Sequence, residues 1–296
     1  MLAQIANVLL PVFVLAGVGY GWRRLGVPFE REFVTRMIMN VAGPCLIVDS
    51  LANLELPLER FLTMAAASVV MFAATIVAAW LFLRTLGLSV RSYLPAIGIG
   101  NTGNLGLPLS LFAFGEEGLG LAIAVYAVNS VAQFTLTPML QSGQPALRAL
   151  VTTPVSYGAL IGAALLASDA TLPEWLGSTI GLLGDLMIPL MLLALGNTIG
   201  GLHARRLPFA LGLGIARLIL GFGIAFAVSF AFRLDGTAQA VLVLQGAMPA
   251  AVFNYLFAAR YNRDADDVAG IVLVSTLLAA LTMPLLVAFV LRLGAG

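Results

Sequence analysis

The feature that most constrains this chain is a succession of apolar runs, each about twenty residues long, separated by short polar segments. A run of that length can span a bilayer as an α-helix, which satisfies its own backbone polar groups. Only 10% of the 296 residues are charged and 60% are hydrophobic, whereas a soluble domain usually has about a quarter of its residues charged. The sequence therefore predicts an all-α integral membrane protein.

Ten such segments can be delimited, and the loops between them are short. Eleven arginines lie in the loops on one predicted side of the membrane and three in those on the other. Because positively charged loops stay cytoplasmic, both termini are expected to face outward. All fifteen basic residues are arginine, a bias typical of GC-rich bacterial genomes, so the expected location is the bacterial inner membrane. The segments are at about 3–22, 33–53, 61–86, 92–113, 117–140, 148–167, 175–199, 208–232, 237–259 and 266–293.

The two halves of the sequence resemble each other. We expect a first repeat over residues 1–145 and a second over 146–296, each with five helices. A repeat with an odd number of helices must insert with the opposite topology to its twin, and inverted repeats are typical of secondary transporters. Prolines recur at offsets of 143 to 146 residues: Pro11 with Pro154, Pro44 with Pro189, and Pro138 with Pro284.

The fourth segment contains an interruption, 98-GIGNTGNLGLPLS-110, with four glycines, two asparagines and a proline. These residues favour helices poorly, and unpaired amides are costly in lipid. Irregular backbone at that depth is tolerated where it lines a cavity or is covered by protein, and transporters often bind substrate there. A second interruption, 245-QGAMPAA-251, is its counterpart in the other half. The two breaks together predict a small-molecule site near mid-membrane.

Several segments resemble those of the auxin efflux carrier family, which includes plant carriers and bacterial carriers, some linked to malonate and similar acids. They are 100-GNTGNLGLPL-109, 183-LGDLMIPLMLLALG-196, 215-IARLILG-221 and 245-QGAMPAAVFNYLFAARYN-262. The resemblance implies inverted five-helix repeats in which helices 4 and 9 are broken and cross. Helices 1, 2, 6 and 7 would form a scaffold that dimerises through helices 2 and 7. Helices 3–5 and 8–10 would form a transport domain that moves as an elevator.

The resemblance also assigns roles in the first break. Asn101 matches the family asparagine that contacts the substrate carboxylate, although an asparagine there can also cap the following half-helix. Thr102 and Asn104 are expected either to bind substrate or to satisfy freed carbonyl groups. Plant carriers have a proline where this chain has Gly100. The residues expected to shape the two breaks are Gly100, Gly103, Pro108 and Met248.

Further candidates for substrate contact lie in helices 5 and 9. Asn129 aligns with a polar, substrate-facing position of the family. Gln133 lies one turn further along, where an interhelical hydrogen bond would explain it equally well. The second break contributes Gln245, Pro249 and Ala250.

Charged residues inside membrane spans are candidates for function by default. Asp185 lies near a family aspartate, but an acid at a helix start is also simply stabilising. Asp49 fits either a site for a coupling ion or an external vestibule. Arg217 matches a family arginine and is expected to pair with an acid, although snorkelling or anion binding would also explain it. One histidine and one cysteine make a metal site or an enzyme unexpected.

The sequence therefore predicts a secondary transporter of small organic anions, such as malonate-like dicarboxylates or auxin-like acids. No cofactor and no nucleic-acid partner are expected, and coupling to protons, coupling to sodium and downhill transport all stay open. The alternative is a sodium-coupled symporter of the bile-acid type, which shares the inverted-repeat fold, but neither break contains an acidic residue. A membrane receptor would normally carry a signalling domain, for which the sequence offers no candidate.

Overall fold

A computed structural model describes residues 2–53, 57–143, 154–168 and 170–294. These residues form α-helices and two short π-helical segments, and no β-strand occurs among them. Seven of the described helical stretches are long and apolar enough to cross a membrane. The chain is therefore an all-helical, multi-pass membrane protein. The predicted boundary between the repeats and the start of the segment at 148 lie outside the described residues.

The helices follow one another with short connections. The first part of the chain contains α1 (Leu2–Arg24), α2 (Arg31–Met37), α3 (Gly43–Ala52), α4 (Leu58–Thr85), α5 (Val90–Gly98) and α6 (Leu107–Ser142). The second contains α7 (Pro154–Ser168), α8 (Glu174–Asp185), α9 (Met187–Ile199), α10 (Leu207–Ala231), α11 (Gly236–Gly246), α12 (Val252–Arg260) and α13 (Ala265–Gly294). The π-helical segments are Ile38–Ala42, between α2 and α3, and Thr102–Gly106, which leads into α6.

Several predicted segments contain irregularities that apolar periodicity does not reveal. The second is widened by the π-helical segment Ile38–Ala42, which directly precedes α3. Pro44, in the first turn of α3, has no N–H to donate to the carbonyl one turn earlier. The seventh is interrupted at Leu186, between α8 and α9. The fourth and fifth meet inside α6 at Gly115, with φ 64° and ψ −154°. Glycine adopts positive φ without steric cost, so Gly115 allows the chain to leave one segment and enter the next.

The helices pack in two groups. In the first group α1 lies along α9, and α3 packs against α7 and α8. In the second group α10 packs against α4, α11 and α13, while α6 packs against α4 and α11. The contacts of α6 with α1, α3 and α7 are among those that join the two groups.

Polar side chains tie α5, α10 and α13 together at one end. The carboxylate of Asp267, near the start of α13, accepts a hydrogen bond from the Tyr93 hydroxyl of α5 and pairs with Arg206, both at 3.0 Å. Ser92 of α5 donates to Asp264 at 2.6 Å. These bonds connect α5, the start of α10 and α13.

Glycine sets the distance between α1 and α9. A Cβ atom at Gly196 would lie 1.8 Å from the carbonyl oxygen of Ala16, and one at Gly19 would lie 2.0 Å from that of Leu193. Small residues at helix crossings let the backbones approach closely, which is a main source of helix association in membranes.

We expect Gly196→Ala to lower the free energy of unfolding by about 1–3 kcal/mol, because the added methyl group forces α1 and α9 apart. Gly17→Ala is the matched control, since a Cβ at Gly17 of α1 would meet nothing within 4 Å. Thermal unfolding of the purified variants in detergent measures the difference. Equal melting temperatures would show that the two backbones do not approach this closely.

Candidate functional site

Both predicted breaks are present in the structure and lie side by side. The first separates the end of α5 at Gly98 from the π-helical segment that begins at Thr102. The second separates the end of α11 at Gly246 from the start of α12 at Val252. Within the first break Ile99 is extended, with φ −111° and ψ 114°. Two stretches of non-helical backbone therefore meet in the buried interior.

The main chains of the two breaks are hydrogen-bonded to each other. Gly100 and Ala250 form an antiparallel β-bridge, the pairing seen between neighbouring strands. The bridge holds the two breaks at a fixed distance. Its two bonds run from the Asn101 N–H to the Pro249 carbonyl at 2.7 Å and from the Ala251 N–H to the Ile99 carbonyl at 3.1 Å.

Buried amide side chains satisfy carbonyl groups freed by the first break. The Asn254 amide donates to the Ile99 carbonyl at 3.1 Å, and the Asn129 amide donates to the Gly100 carbonyl at 3.2 Å. Gln133 in turn donates to the side-chain oxygen of Asn254 at 2.8 Å. Irregular backbone inside a membrane protein needs such partners, because lipid supplies none.

Asn101 differs from these three amides. Its side chain is 4% exposed, and its amide nitrogen has no hydrogen-bond partner among the described residues. Asn101 occupies the N-cap position of the segment Thr102–Gly106, yet its side chain makes no capping bond. A buried donor without a partner costs about 1–3 kcal/mol, so the group is a candidate for binding a ligand.

Asn101 lines a cavity of about 30 Å³, where the two helix groups meet. The cavity lies between the first break, α6 and the second break on one side and helices of the first group on the other. No charged side chain lines it in the described part of the chain. Its polar side chains are those of Asn101, Asn104, Tyr126, Asn129, Ser130 and Gln133, and its large apolar side chains are those of Ile38, Met39, Phe134, Met191 and Phe253.

Sequence reasoning missed part of this lining. Tyr126 and Ser130 share one face of α6 with Asn129 and Gln133, at spacings of three and four residues. That stripe was visible in the sequence and could have identified both residues. The apolar lining left no comparable signal, because apolar residues occur on most faces of the helices in this chain, whether or not a cavity lies beside them.

Several predicted substrate contacts lie elsewhere. Gln245 is fully buried and donates to the Ser110 hydroxyl at 3.2 Å, away from the cavity. Pro249 and Ala250 serve the main-chain bridge, and the Ala250 N–H also donates to the Ser275 hydroxyl at 3.2 Å. Through these three residues the second break therefore supports the point where the β-bridge joins the two breaks, here called the crossing, rather than lining the cavity.

The other residues of the breaks have structural surroundings. Thr102 is buried, and its hydroxyl has no partner among the described residues, but it does not line the cavity. A Cβ at Gly103 would lie 2.8 Å from the Tyr126 ring. Pro108 follows the π-helical segment Thr102–Gly106 within one continuous helical stretch, and it has no N–H to donate to the carbonyl one turn earlier. Met248 lies in the second break and is fully buried.

The two candidate acids lie away from the cavity. Asp49 of α3 is half-buried and accepts a hydrogen bond from the Asn53 side chain at 3.0 Å. Asp185 is exposed at the junction of α8 and α9, where one helix ends and the next begins. Neither side chain is placed to contact a ligand beside Asn101.

The expectation that Arg217 pairs with an acid is wrong for the described part of the chain. Arg217 is 3% exposed, and none of the carboxylates described there forms an ion pair with it. Its guanidinium donates to main-chain carbonyl groups instead, because both helix breaks leave such groups without helical partners. The acceptors are those of Met248 at 3.0 Å, Gly246 at 3.0 Å, Ile97 at 3.1 Å and Gly98 at 3.4 Å.

Comparison with known proteins decides the family. The model of the membrane transport protein family, which is the auxin efflux carrier family, matches residues 4–145 and 138–287. This chain belongs to that family. The resemblance drawn from the sequence motifs is thereby confirmed, and as a family member the protein is a membrane transporter.

Relatives of this membrane transport protein align along nearly the whole chain. A transporter of Methanothermobacter thermautotrophicus is 29% identical over 291 residues, which cover 93% of this chain and 95% of that protein. A Rhizobium meliloti protein named "Putative malonate transporter" is 26% identical, with coverages of 99% and 98%. A transporter of Methanocaldococcus jannaschii is 24% identical, with coverages of 94% and 96%.

Proposed function

We propose that this protein is a secondary transporter of small organic anions and that the substrate carboxylate binds in the cavity beside Asn101. The observation that carries the proposal is the Asn101 amide nitrogen, which is buried against the cavity and has no hydrogen-bond partner in the part of the chain that the structure describes. An amide N–H can donate to a carboxylate, and the start of a helix adds positive partial charge. A neutral donor also holds an anion less tightly than an arginine would, which suits a substrate that must leave.

The substrate class follows from the lining and from the relatives. The family includes auxin efflux carriers, and one relative is named for malonate. The uncharged lining offers amide and hydroxyl groups for carboxylate oxygens, and its apolar side chains would pack against a carbon chain or ring in a conformation in which this cavity of about 30 Å³ has widened. We therefore propose malonate-like dicarboxylates and auxin-like acids as the two groups of compounds to test first.

The proposed mechanism is elevator-type alternating access by two inverted five-helix repeats with ten membrane spans. The two packing groups support it, because the group with α1, α3, α7, α8 and α9 corresponds to a scaffold, and the group with α4, α6, α10, α11 and α13 corresponds to a transport domain. The cavity at their contact is where movement of one group would expose a substrate alternately to each side. We further propose that the protein lies in the inner membrane with its termini on the outer side. We also propose a homodimer through predicted spans 2 and 7, at 33–53 and 175–199, which contain α3 and α9.

Transport by purified protein in proteoliposomes tests the function. We expect radiolabelled malonate, another dicarboxylate or an indole acid to exchange at least severalfold faster than in protein-free vesicles. Proton and sodium gradients are imposed separately, and sodium-dependent flux would favour the alternative of a bile-acid-type symporter. A monodisperse preparation that moves no acid from a broad panel would overturn the proposal.

A further inference from the structure

Arg217 lies where two helix C-termini meet. The carbonyl groups that it contacts are those of Ile97 and Gly98, at the end of α5, and those of Gly246 and Met248, at and just beyond the end of α11. Helix ends leave carbonyl groups without partners, and these two ends are buried away from water. One side chain thus donates hydrogen bonds to the C-terminal ends of both α5 and α11.

The positive charge of Arg217 matches the partial charges of the two helix C-termini that it contacts. Each helix C-terminus carries a partial charge of about −0.5, so the two ends together present roughly −1. The guanidinium supplies one positive charge and is buried without a carboxylate partner among the described side chains. A buried cation is costly unless something compensates it, and the two helix ends provide that compensation.

The shape of the side chain matters as much as its charge. All three guanidinium nitrogens are used: Nε bonds to Met248, Nη2 to Gly246 and Nη1 to Ile97 and Gly98. The planar fork can reach carbonyl groups on two helices at once, whereas a lysine ammonium is a compact charge that cannot span them.

The surrounding backbone leaves room for this group. A Cβ at Gly100 would lie 2.4 Å from Nη2 of Arg217. A Cβ at Gly221, one turn further along α10, would lie 3.1 Å from Nη2 and 2.2 Å from the Gly246 carbonyl oxygen. Gly100 is thus placed to accommodate the guanidinium as well as to interrupt the helix.

We propose that Arg217 is a positioning residue that acts as the built-in cation of the crossing. It neutralises both helix C-termini and occupies the carbonyl oxygens that a hard cation such as sodium would otherwise use as ligands. The crossing then needs no bound metal ion to bring the two helix ends together. This role concerns the crossing itself and does not depend on which substrate is transported.

Chemical rescue of Arg217→Ala tests the proposal without any substrate. Melting temperatures of detergent-purified protein are measured with and without millimolar methylguanidinium. We expect a fall of about 10 °C for Arg217→Ala, from the loss of a buried charged partner, with at least half of it restored by methylguanidinium. Arg217→Lys should stay close to the alanine variant. Arg91→Ala, at an exposed arginine, is the control and should behave as wild type.

Three results would overturn the proposal: a wild-type melting temperature for Arg217→Ala, full stability of Arg217→Lys, or no response of Arg217→Ala to methylguanidinium.

If Arg217→Ala cannot be purified, Gly100→Ala displaces the guanidinium while keeping the arginine. It should melt at a lower temperature than Gly212→Ala, since a Cβ at Gly212 of α10 would meet nothing within 4 Å. Equal melting of these two variants would also overturn the proposal.

Discussion

Replacement of Asn101 by alanine should weaken substrate binding by a factor of about ten to one hundred without lowering the melting temperature. A hydrogen bond to a charged group contributes about 1.5–3 kcal/mol, which corresponds to that range of affinity. The unliganded protein loses no hydrogen bond from the amide nitrogen, because that nitrogen has no partner among the described residues. Binding of the substrate found by the proteoliposome panel, together with thermal unfolding, measures both effects.

Asn101→Asp sharpens the same test. It keeps the shape of the side chain but replaces the donor with a negative charge, so anion binding should be lost almost completely. Unchanged affinity in Asn101→Ala would remove Asn101 from the binding site. A large fall in melting temperature would instead indicate that Asn101 is needed for the fold.

Replacement of Asn254 by leucine should mainly lower stability. We expect thermal unfolding to show a loss of about 2–4 kcal/mol in the free energy of unfolding and a melting temperature about 5–15 °C lower. Asn254 is fully buried and links the Gln133 amide to the Ile99 carbonyl, at 2.8 Å and 3.1 Å. Leucine leaves the Gln133 amide without its acceptor and removes one of the two donors to Ile99.

A double-mutant cycle with Gln133→Met isolates this link. If the two amides act as a pair, the double variant should lose less stability than the sum of the single variants, by about 0.5–3 kcal/mol. Additive losses would mean that the Gln133 to Asn254 bond does not contribute. Asn53→Leu is a suitable control, because its amide is exposed and bonds within its own helix turn.

Local sequence signals were sufficient to locate the first break. Glycine and asparagine at residues 100 and 101 disfavour a helix wherever they occur, and the structure ends α5 at Gly98. The irregularity at Leu186 has a local signal of the same kind, since Pro189 has no N–H to donate to the carbonyl of Asp185, one turn earlier.

The partners of Arg217 could not be predicted because they are main-chain atoms. An acid would have been visible as a residue type, whereas a carbonyl group is present at every position. Which carbonyls lack helical partners depends on where two helices end, and which of them lie near Arg217 depends on the fold. The direction of Gln245 was missed for a related reason, since spacing placed it near the break but did not determine which side of the crossing it faces.

The bridge between Gly100 and Ala250 bears on how proteins of this kind diverge. Its two bonds join main-chain atoms, so an ordinary side-chain exchange does not delete them, and only proline at Asn101 or Ala251 would remove a donor. Side chains around the cavity can therefore drift during evolution while the frame that presents them is inherited intact. Relatives that share only 24–29% of their residues with this chain are expected to keep the main-chain bridge and to differ in their substrates.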